Sequence, residues 1–174
     1  MDNSPAAALQ PIVLMGVSGS GKTTVGERLA EVSGRVFIDG DDLHPAANKE
    51  KMALGIPLTD DDRWPWLHRV GERLAVGDGP IVACSALRRA YRDALRELAP
   101  GAFFALLNAS RDVLAERVAS RHHEYMPASL LDSQLATLEP LEPDENGAIF
   151  DVAASVDEVV AAIRTRLAAD RPVA

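Results

Sequence analysis

Cysteine is almost missing from this chain, whose 174 residues include a single one, Cys84. One cysteine excludes an intramolecular disulfide framework and suits a reducing compartment. Long apolar runs are missing as well. No stretch approaches the roughly 20 residues that a membrane-spanning helix needs. Met1 to Gln10 has neither the basic start nor the apolar centre of a secretory leader. The expected setting is therefore cytoplasmic, with no membrane partner. Positive charge is the minority sign: 18 Lys and Arg against 26 Asp and Glu give a formal net charge of -8. Nucleic-acid partners usually call for a basic field, so DNA and RNA are disfavoured, while a local basic cluster still suffices for a small anion. What is present is an ordinary globular composition, 47% hydrophobic and 25% charged, in a length that suits one domain with one sizeable core.

Residues 1–10 read as a flexible N-terminal tail and residues 11–170 as a single domain, with no internal repeat and no low-complexity linker. Five apolar runs predict buried strands: Pro11–Met15, Arg35–Asp39, Ile81–Cys84, Ala102–Leu107 and, more weakly, Ala148–Val152. Their apolar character is nearly continuous, which strands covered on both faces require. Helical stretches alternate with them. Leu87, Tyr91, Ala94, Leu95 and Leu98 share one helical face. In the last stretch, Ser155 and Glu158 have the spacing of a capping box, and Val156, Val159, Val160, Ile163 and Leu167 trace an apolar stripe. The alternation predicts an α/β fold of three layers, with a mainly parallel five-stranded sheet and helices on both faces. One segment departs from it: residues 122–147 are rich in Pro, Glu and Asp, with a short helical stretch near Ser129 to Leu138. A long excursion of this kind is a candidate lid.

Directly after the first strand stands Gly16-Val17-Ser18-Gly19-Ser20-Gly21-Lys22-Thr23, the pattern G-x-x-x-x-G-K-[ST]. Gly16, Gly19 and Gly21 allow turns in which successive N–H groups point into one anion-binding nest, and the helix that follows aims its N-terminus at the same place. In this arrangement Lys22 bridges the β- and γ-phosphates of ATP and the Thr23 hydroxyl ligates Mg2+. Ser18, Ser20 and Thr24 complete the expected nucleotide-binding set. The strand before and the helix after make the motif specific, and the fold becomes that of the P-loop NTPases.

Two absences narrow the class. The third strand ends Ala83-Cys84-Ser85-Ala86 without the Asp that many ATPases and GTPases use to hold the metal shell, and no Asn-Lys-x-Asp guanine-reading motif is present. Instead, Asp39-Gly40-Asp41 stands at the end of the second strand, where open parallel sheets bind their ligands. Residues two apart on a strand share a face, so both carboxylates are expected to point at the phosphate loop. Asp39 would support the metal through water and Asp41 would accept the proton of a substrate hydroxyl. The same tripeptide also makes a good turn and helix start. Arg117 and Arg121 lie one helical turn apart after Ser110, a candidate N-cap, at the entrance to the lid; they could clamp phosphate oxygens or stack on adenine, or form a solvated basic face. Arg121 is the arginine expected to act in catalysis beside Lys22 and Asp41.

From Asp39 the chain resembles the small P-loop gluconokinases, relatives of the shikimate and adenylate kinases. The resemblance is carried by Asp39-Gly40-Asp41-Asp42-Leu43-His44-Pro45, then Asn48, Glu50-Lys51-Met52, Gly55, Pro57-Leu58, Asp60-Asp61-Asp62-Arg63 and Pro65-Trp66-Leu67. Cys84-Ser85-Ala86-Leu87-Arg88, Tyr91-Arg92-Asp93, Met126-Pro127 to Gln134 and Thr137-Leu138-Glu139 continue it. It spans about residues 12–165. A local departure is His122-His123-Glu124-Tyr125, where members often have a Lys-Gly-His-Phe type of run; a metal site at His122 and His123 is weakly supported, since adjacent helical residues face different ways.

The resemblance implies transfer of the γ-phosphoryl group of MgATP to the 6-hydroxyl of D-gluconate, in a homodimer. Gluconate is a polyol with a carboxylate. Asp41 and His44 are then the expected hydroxyl partners, and Lys51, Arg63 and Arg88 the candidates for the carboxylate or the transferring group. Each has a plainer reading: His44 as a helix cap, Lys51 as a solvated helix residue, Asp60 to Asp62 as a favourable helix N-terminus. Ser85 is placed either to bond substrate or to cap a helix. Trp64 and Trp66 read as packing residues. The alternatives are a kinase of another small hydroxylated acceptor, shikimate-like or nucleotide, and a nucleotide-binding module without turnover. A polynucleotide kinase would need a basic groove that this chain does not advertise.

Overall fold

The structure, a computed structural model, describes residues 9–120 and 128–170. Five strands, β1 (Ile12–Met15), β2 (Phe37–Asp39), β3 (Ile81–Ala83), β4 (Phe103–Asn108) and β5 (Gly147–Asp151), form one sheet in the order β2-β3-β1-β4-β5. Every neighbouring pair is parallel. The described helices are α1 (Lys22–Ser33), α2 (Ala46–Ala53), α3 (Asp60–Ala75), α4 (Arg89–Leu98), α5 (Arg111–Ala119), α6 (Ala128–Thr137) and α7 (Val156–Ala169). All five expected strands are present, with ends displaced by a residue or two. The chain builds on one side of β1 as far as β2 and β3, then crosses to the other side for β4 and β5. The cleft beyond the carboxyl ends is thus centred on the loop that follows β1.

The continuous apolar runs are explained by two cores, one on each face. Val13 and Met15 of β1 join Val82, Phe104 and Leu106 under Trp66, Leu67 and Val70 of α3 and Tyr91 and Leu95 of α4. Ile12 and Leu14 point the other way, joining Ile81, Phe103, Ala105 and Leu107 against Val25 and Leu29 of α1 and Val159, Val160 and Ile163 of α7. Alternate side chains leave a strand on opposite faces, so only an unbroken apolar run can serve both layers. The predicted capping box forms at α7, where Ser155 accepts from the Glu158 N–H and Glu158 accepts from the Ser155 N–H. A second box forms at α3, between Thr59 and Asp62.

α4 departs from its expected pattern. Tyr91 and Leu95 are buried as predicted, but Arg92 is buried completely. Its guanidinium donates to Glu145 Oε1 at 2.7 Å and Oε2 at 3.0 Å, and to the Ala86 carbonyl at 3.0 Å. Arg96 reaches Glu145 at 2.9 Å, and Arg89 reaches Asp144 at 2.8 Å and Glu142 at 2.5 Å. Burial alone would raise the Glu145 pKa, but the hydrogen bonds from Arg92, the Glu142 N–H and Arg96 hold it down at about 2. These contacts strap residues 138–146 to α4. These residues belong to the last part of the segment expected to be a lid, 122–147. The first part, with His122 and His123, lies outside the described residues, as does most of the N-terminal tail.

Candidate active site

α1 begins without a side-chain cap: its N-cap is Gly21, in the left-handed conformation at φ 89°, and its first turn holds no acidic residue. Any side chain at Gly21 would be strained there. The first amides of α1 therefore face the loop with no side-chain acceptor of their own, the arrangement that binds anions. Lys22 Nζ donates to the carbonyls of Gly16 at 2.9 Å and Val17 at 3.1 Å, which holds its charge over the loop. The Ser18 N–H donates to Oε1 of Gln134, on α6, at 2.7 Å. The Ser20 hydroxyl is buried beneath the loop and has no partner among the described residues.

A cavity of 320 Å3 lies over the loop and is lined by Ser18, Lys22, Thr23, Asp39, Asp41 and Ser85, among others. Both predicted carboxylates reach it, though not by sharing a strand face. β2 ends at Asp39, and residues Gly40–Leu43 turn as a short 3-10 helix that Asp39 caps, its Oδ1 accepting from the Asp41 N–H at 3.0 Å. The turn-and-cap reading of Asp-Gly-Asp and the functional one hold together. Gly40 is required by contact, since a Cβ there would stand 2.3 Å from the Ala83 carbonyl oxygen. Ser85 is not a helix cap, as α4 is capped at Arg88. Cys84 also lines this cavity but is 2% exposed, and burial pushes its thiol up to about 12. A thiol kept protonated in this way is a poor nucleophile.

On the α2–α3 side a second cavity, of 520 Å3, is lined by Arg63, Trp66, Ser85, Tyr91, Gln134 and Thr137 with apolar residues between them. Ser85 and Gln134 line both cavities. Asp60 organises the cations here. It accepts from the Tyr91 hydroxyl at 2.5 Å and from Arg63 at 3.1 Å, and it pairs with Arg88 at 3.6 Å. The Tyr91 hydrogen bond, with both arginines, holds the Asp60 carboxyl below its ordinary range despite some desolvation. Arg63 and Arg88 both lie near the Tyr91 ring, 5.7 and 5.9 Å from its centroid. Two cations against one anion leave this cluster net positive, a suitable counter-charge for a small carboxylate.

Lys51 and His44 are placed differently from expectation. Lys51 Nζ is held by both carboxylate oxygens of Asp62, at 2.8 and 2.9 Å, and so ties α2 to the start of α3. His44 is 6% exposed and stacks on Trp66, with ring centroids 4.2 Å apart. Its Nδ1 lies 3.2 Å from Asn48 Nδ2, which can only donate, so the imidazole proton sits on Nε2. Burial, with Lys49 and Arg63 nearby, lowers its pKa to about 4. It lines neither cavity and instead buttresses Trp66, whose Nε1 donates to the Gly40 carbonyl at 2.7 Å. Trp66 is packing, as expected, and Trp64 packs edge-on against Tyr91.

The opposite flank of the loop holds a third cavity, of 320 Å3, lined by Gly19, Gly21, Thr24, Val25, Arg117, Ser120, Val152, Ala154, Val156 and Val159. It is mostly apolar and adjoins the start of α1, as a nucleobase site should. Arg117 donates to the Val152 carbonyl, and Ser110 caps α5 as predicted, accepting from the Val113 N–H. Arg121 lies outside the described residues. Sequence reading missed Ser120, the Val152–Ala154 turn and Gln134. The turn follows β5 at the carboxyl edge of the sheet, and that position is the signal that would have found it.

A phosphate loop with a base-sized apolar cavity on one side and a carboxylate- and arginine-lined cavity on the other belongs to a P-loop small-molecule kinase. Residues 12–141 match the family model described as an AAA domain. Among solved structures, a gluconokinase from Sinorhizobium meliloti is 53% identical, superposes with a TM-score of 0.85 and covers 91% of each chain. The gluconokinase of Gluconobacter oxydans is 49% identical over 138 residues, 77% of this chain and 78% of that one. A probable gluconokinase of Xenopus tropicalis is 42% identical over 171 residues, 87% of this chain and 90% of that one. The chain belongs to the gluconokinase family.

Proposed function

We propose that this chain is an ATP-dependent gluconate kinase that transfers the γ-phosphoryl group to the 6-hydroxyl of D-gluconate, giving 6-phosphogluconate and ADP. The observation that carries the reading is the convergence of Lys22, Thr23, Asp39, Asp41 and Ser85 on one cavity that adjoins the Arg63–Tyr91 cavity. ATP is read as lying with its base against Thr24, Arg117 and Val156 and its phosphates over Gly16, Ser18, Gly19, Ser20 and Gly21. The hydroxyl of Thr23 and the carboxylates of Asp39 and Asp41 form a hard-oxygen donor set that fits Mg2+, which takes one or two protein oxygens beside substrate phosphates. Thr23 would hold the ion directly and Asp39 through water. Bound there, Mg2+ supplies neutralisation of the charge that develops on the phosphoryl oxygens.

The chain's own residues perform the rest. Lys22 turns from the Gly16 and Val17 carbonyls to the β- and γ-phosphates. Asp41 orients the attacking hydroxyl and takes its proton as the bond to phosphorus forms. Arg63 and Arg88, pre-set by Asp60, receive the sugar carboxylate, and Ser85 bonds a hydroxyl. With its ammonium committed to Asp62, Lys51 shapes the site from α2 rather than binding the acceptor. Arg121 keeps its proposed role at the transferring phosphoryl group, and the lid is confined to the segment before residue 138. Catalysis of this kind is positioning and electrostatics. A homodimer and a cytoplasmic setting complete the reading, the first supported by exposed apolar side chains such as Leu54 and Ile56.

An ADP-release assay across gluconate, related sugar acids, shikimate and nucleoside monophosphates tests the activity. Gluconate is expected to give the highest kcat/KM, with phosphate at O6 by NMR of the product. Preference for shikimate or a nucleotide, or no acceptor-stimulated turnover, overturns it. Light scattering on the eluting protein tests the dimer.

A further inference from the structure

Gln134 joins the two halves of the site. It lies on α6, which docks on the phosphate loop through Leu131, 1% exposed and packed with Val17, Leu87 and Leu114. One turn further on, the Gln134 side chain reaches the loop itself and accepts the Ser18 N–H at 2.7 Å. Its acceptor is a neutral carbonyl oxygen at a donor that the loop otherwise offers to anions. The same side chain lines both the phosphate cavity and the cavity of Arg63 and Tyr91. It is half-buried and projects from a helix that holds its own backbone bonds, with the Leu138 N–H donating to the Gln134 carbonyl at 2.9 Å.

We propose that Gln134 couples nucleotide binding to acceptor binding. Its amide oxygen stands in for a phosphate oxygen at the Ser18 N–H, and nucleotide phosphate displaces it. The released amide, with one acceptor oxygen and two N–H donors, then turns into the adjoining cavity and bonds acceptor hydroxyls. A charged phosphate oxygen is the stronger acceptor for that N–H, so the exchange runs toward the nucleotide. Gln134 thus lowers nucleotide affinity slightly in the absence of acceptor and raises acceptor affinity once nucleotide is present. The acceptor half of this inference rests on the proposed gluconate kinase activity; the nucleotide half does not.

The test is calorimetric titration of the full chain with ADP, with no acceptor present, alongside steady-state kinetics. Gln134→Ala is expected to bind ADP tighter by about three- to tenfold, the exchange value of one hydrogen bond. Its gluconate KM should rise by a similar factor, with kcat little changed. Gln134→Glu is expected to move ADP affinity the other way, because its carboxylate keeps the Ser18 N–H and attracts Lys22. Unchanged or weaker ADP binding by Gln134→Ala, in a protein whose melting transition matches wild type, overturns the proposal. So does an unchanged gluconate KM in a wild-type enzyme that phosphorylates gluconate. A wild type inactive on gluconate instead defeats the activity assignment, and the opposite ADP shifts of the two variants still decide whether Gln134 competes with phosphate.

Discussion

Lys22 is held over its loop by two carbonyls of that loop. Both contacts lie within the loop, so the main effect of Lys22→Ala should be to remove the cation from the loop. Turnover is expected to fall by about a thousandfold or more, the scale for removing a charge aimed at the transition state, while the urea midpoint stays near wild type. Near-normal turnover would refute the assignment of the loop. His44 makes the opposite kind of prediction, on stability rather than rate. Its folded-state pKa is about 4 against 6.5 for an ordinary imidazole. The unfolded chain therefore binds the extra proton between those values, and stability falls as pH drops through that window. By about pH 5 the loss is of order 2 kcal/mol. His44→Gln should flatten this part of the pH profile in urea titrations. A profile as steep as wild type would show that His44 is not the neutral buttress described.

Arg92 shows where elements cease to be legible from sequence. It stands among Arg88, Arg89 and Arg96 with nothing in the sequence to set it apart from them, yet it is fully buried against a partner 53 residues away. No periodicity carries that pairing. The start of α3, by contrast, was plain from Asp60 to Asp62, because capping is local. The five strands were legible because two-sided burial demands unbroken apolar runs. Asp39 and Asp41 line one cavity, but not for the reason the sequence suggests, since the strand rule ends where Gly40 tightens the chain into a turn. What His44 and Lys51 face was not legible, because burial and an ion pair, both tertiary, decide it. The strap itself is testable. Glu145→Gln leaves Arg92 buried without its counter-charge and should cost about 3–5 kcal/mol in chemical denaturation. Arg89→Ala, whose close partners Asp93, Glu142 and Asp144 are solvent-facing and which reaches the buried Glu145 only at 3.8 Å, should cost less, about 1 kcal/mol. Equal costs would show that residues 138–146 are held by surface pairs rather than by the buried one.

Across the whole molecule the phosphate loop divides two binding regions built from different elements. The proposed nucleotide flank is made by α1, α5, α7 and the turn after β5; the proposed acceptor flank is made by α2, α3, α4, α6 and the loop after β3. Arg117 belongs to the first and Arg63 to the second, and the two cavities share no lining residue. Substitutions on the two flanks should therefore act on separate constants. Arg63→Ala removes one of the two cations set by Asp60 and is expected to raise the gluconate KM by about 10- to 100-fold, the worth of a charge-assisted hydrogen bond. The KM for ATP should move little. Arg117→Ala should do the reverse, and the double variant should show the product of the two effects, because distant sites with no shared partner add in free energy. Gln134 is the exception that sharpens the test, since it touches the loop and the acceptor cavity together. If Arg63→Ala raised both constants equally, the acceptor and nucleotide would share a site, and the division of the molecule at the phosphate loop would fail.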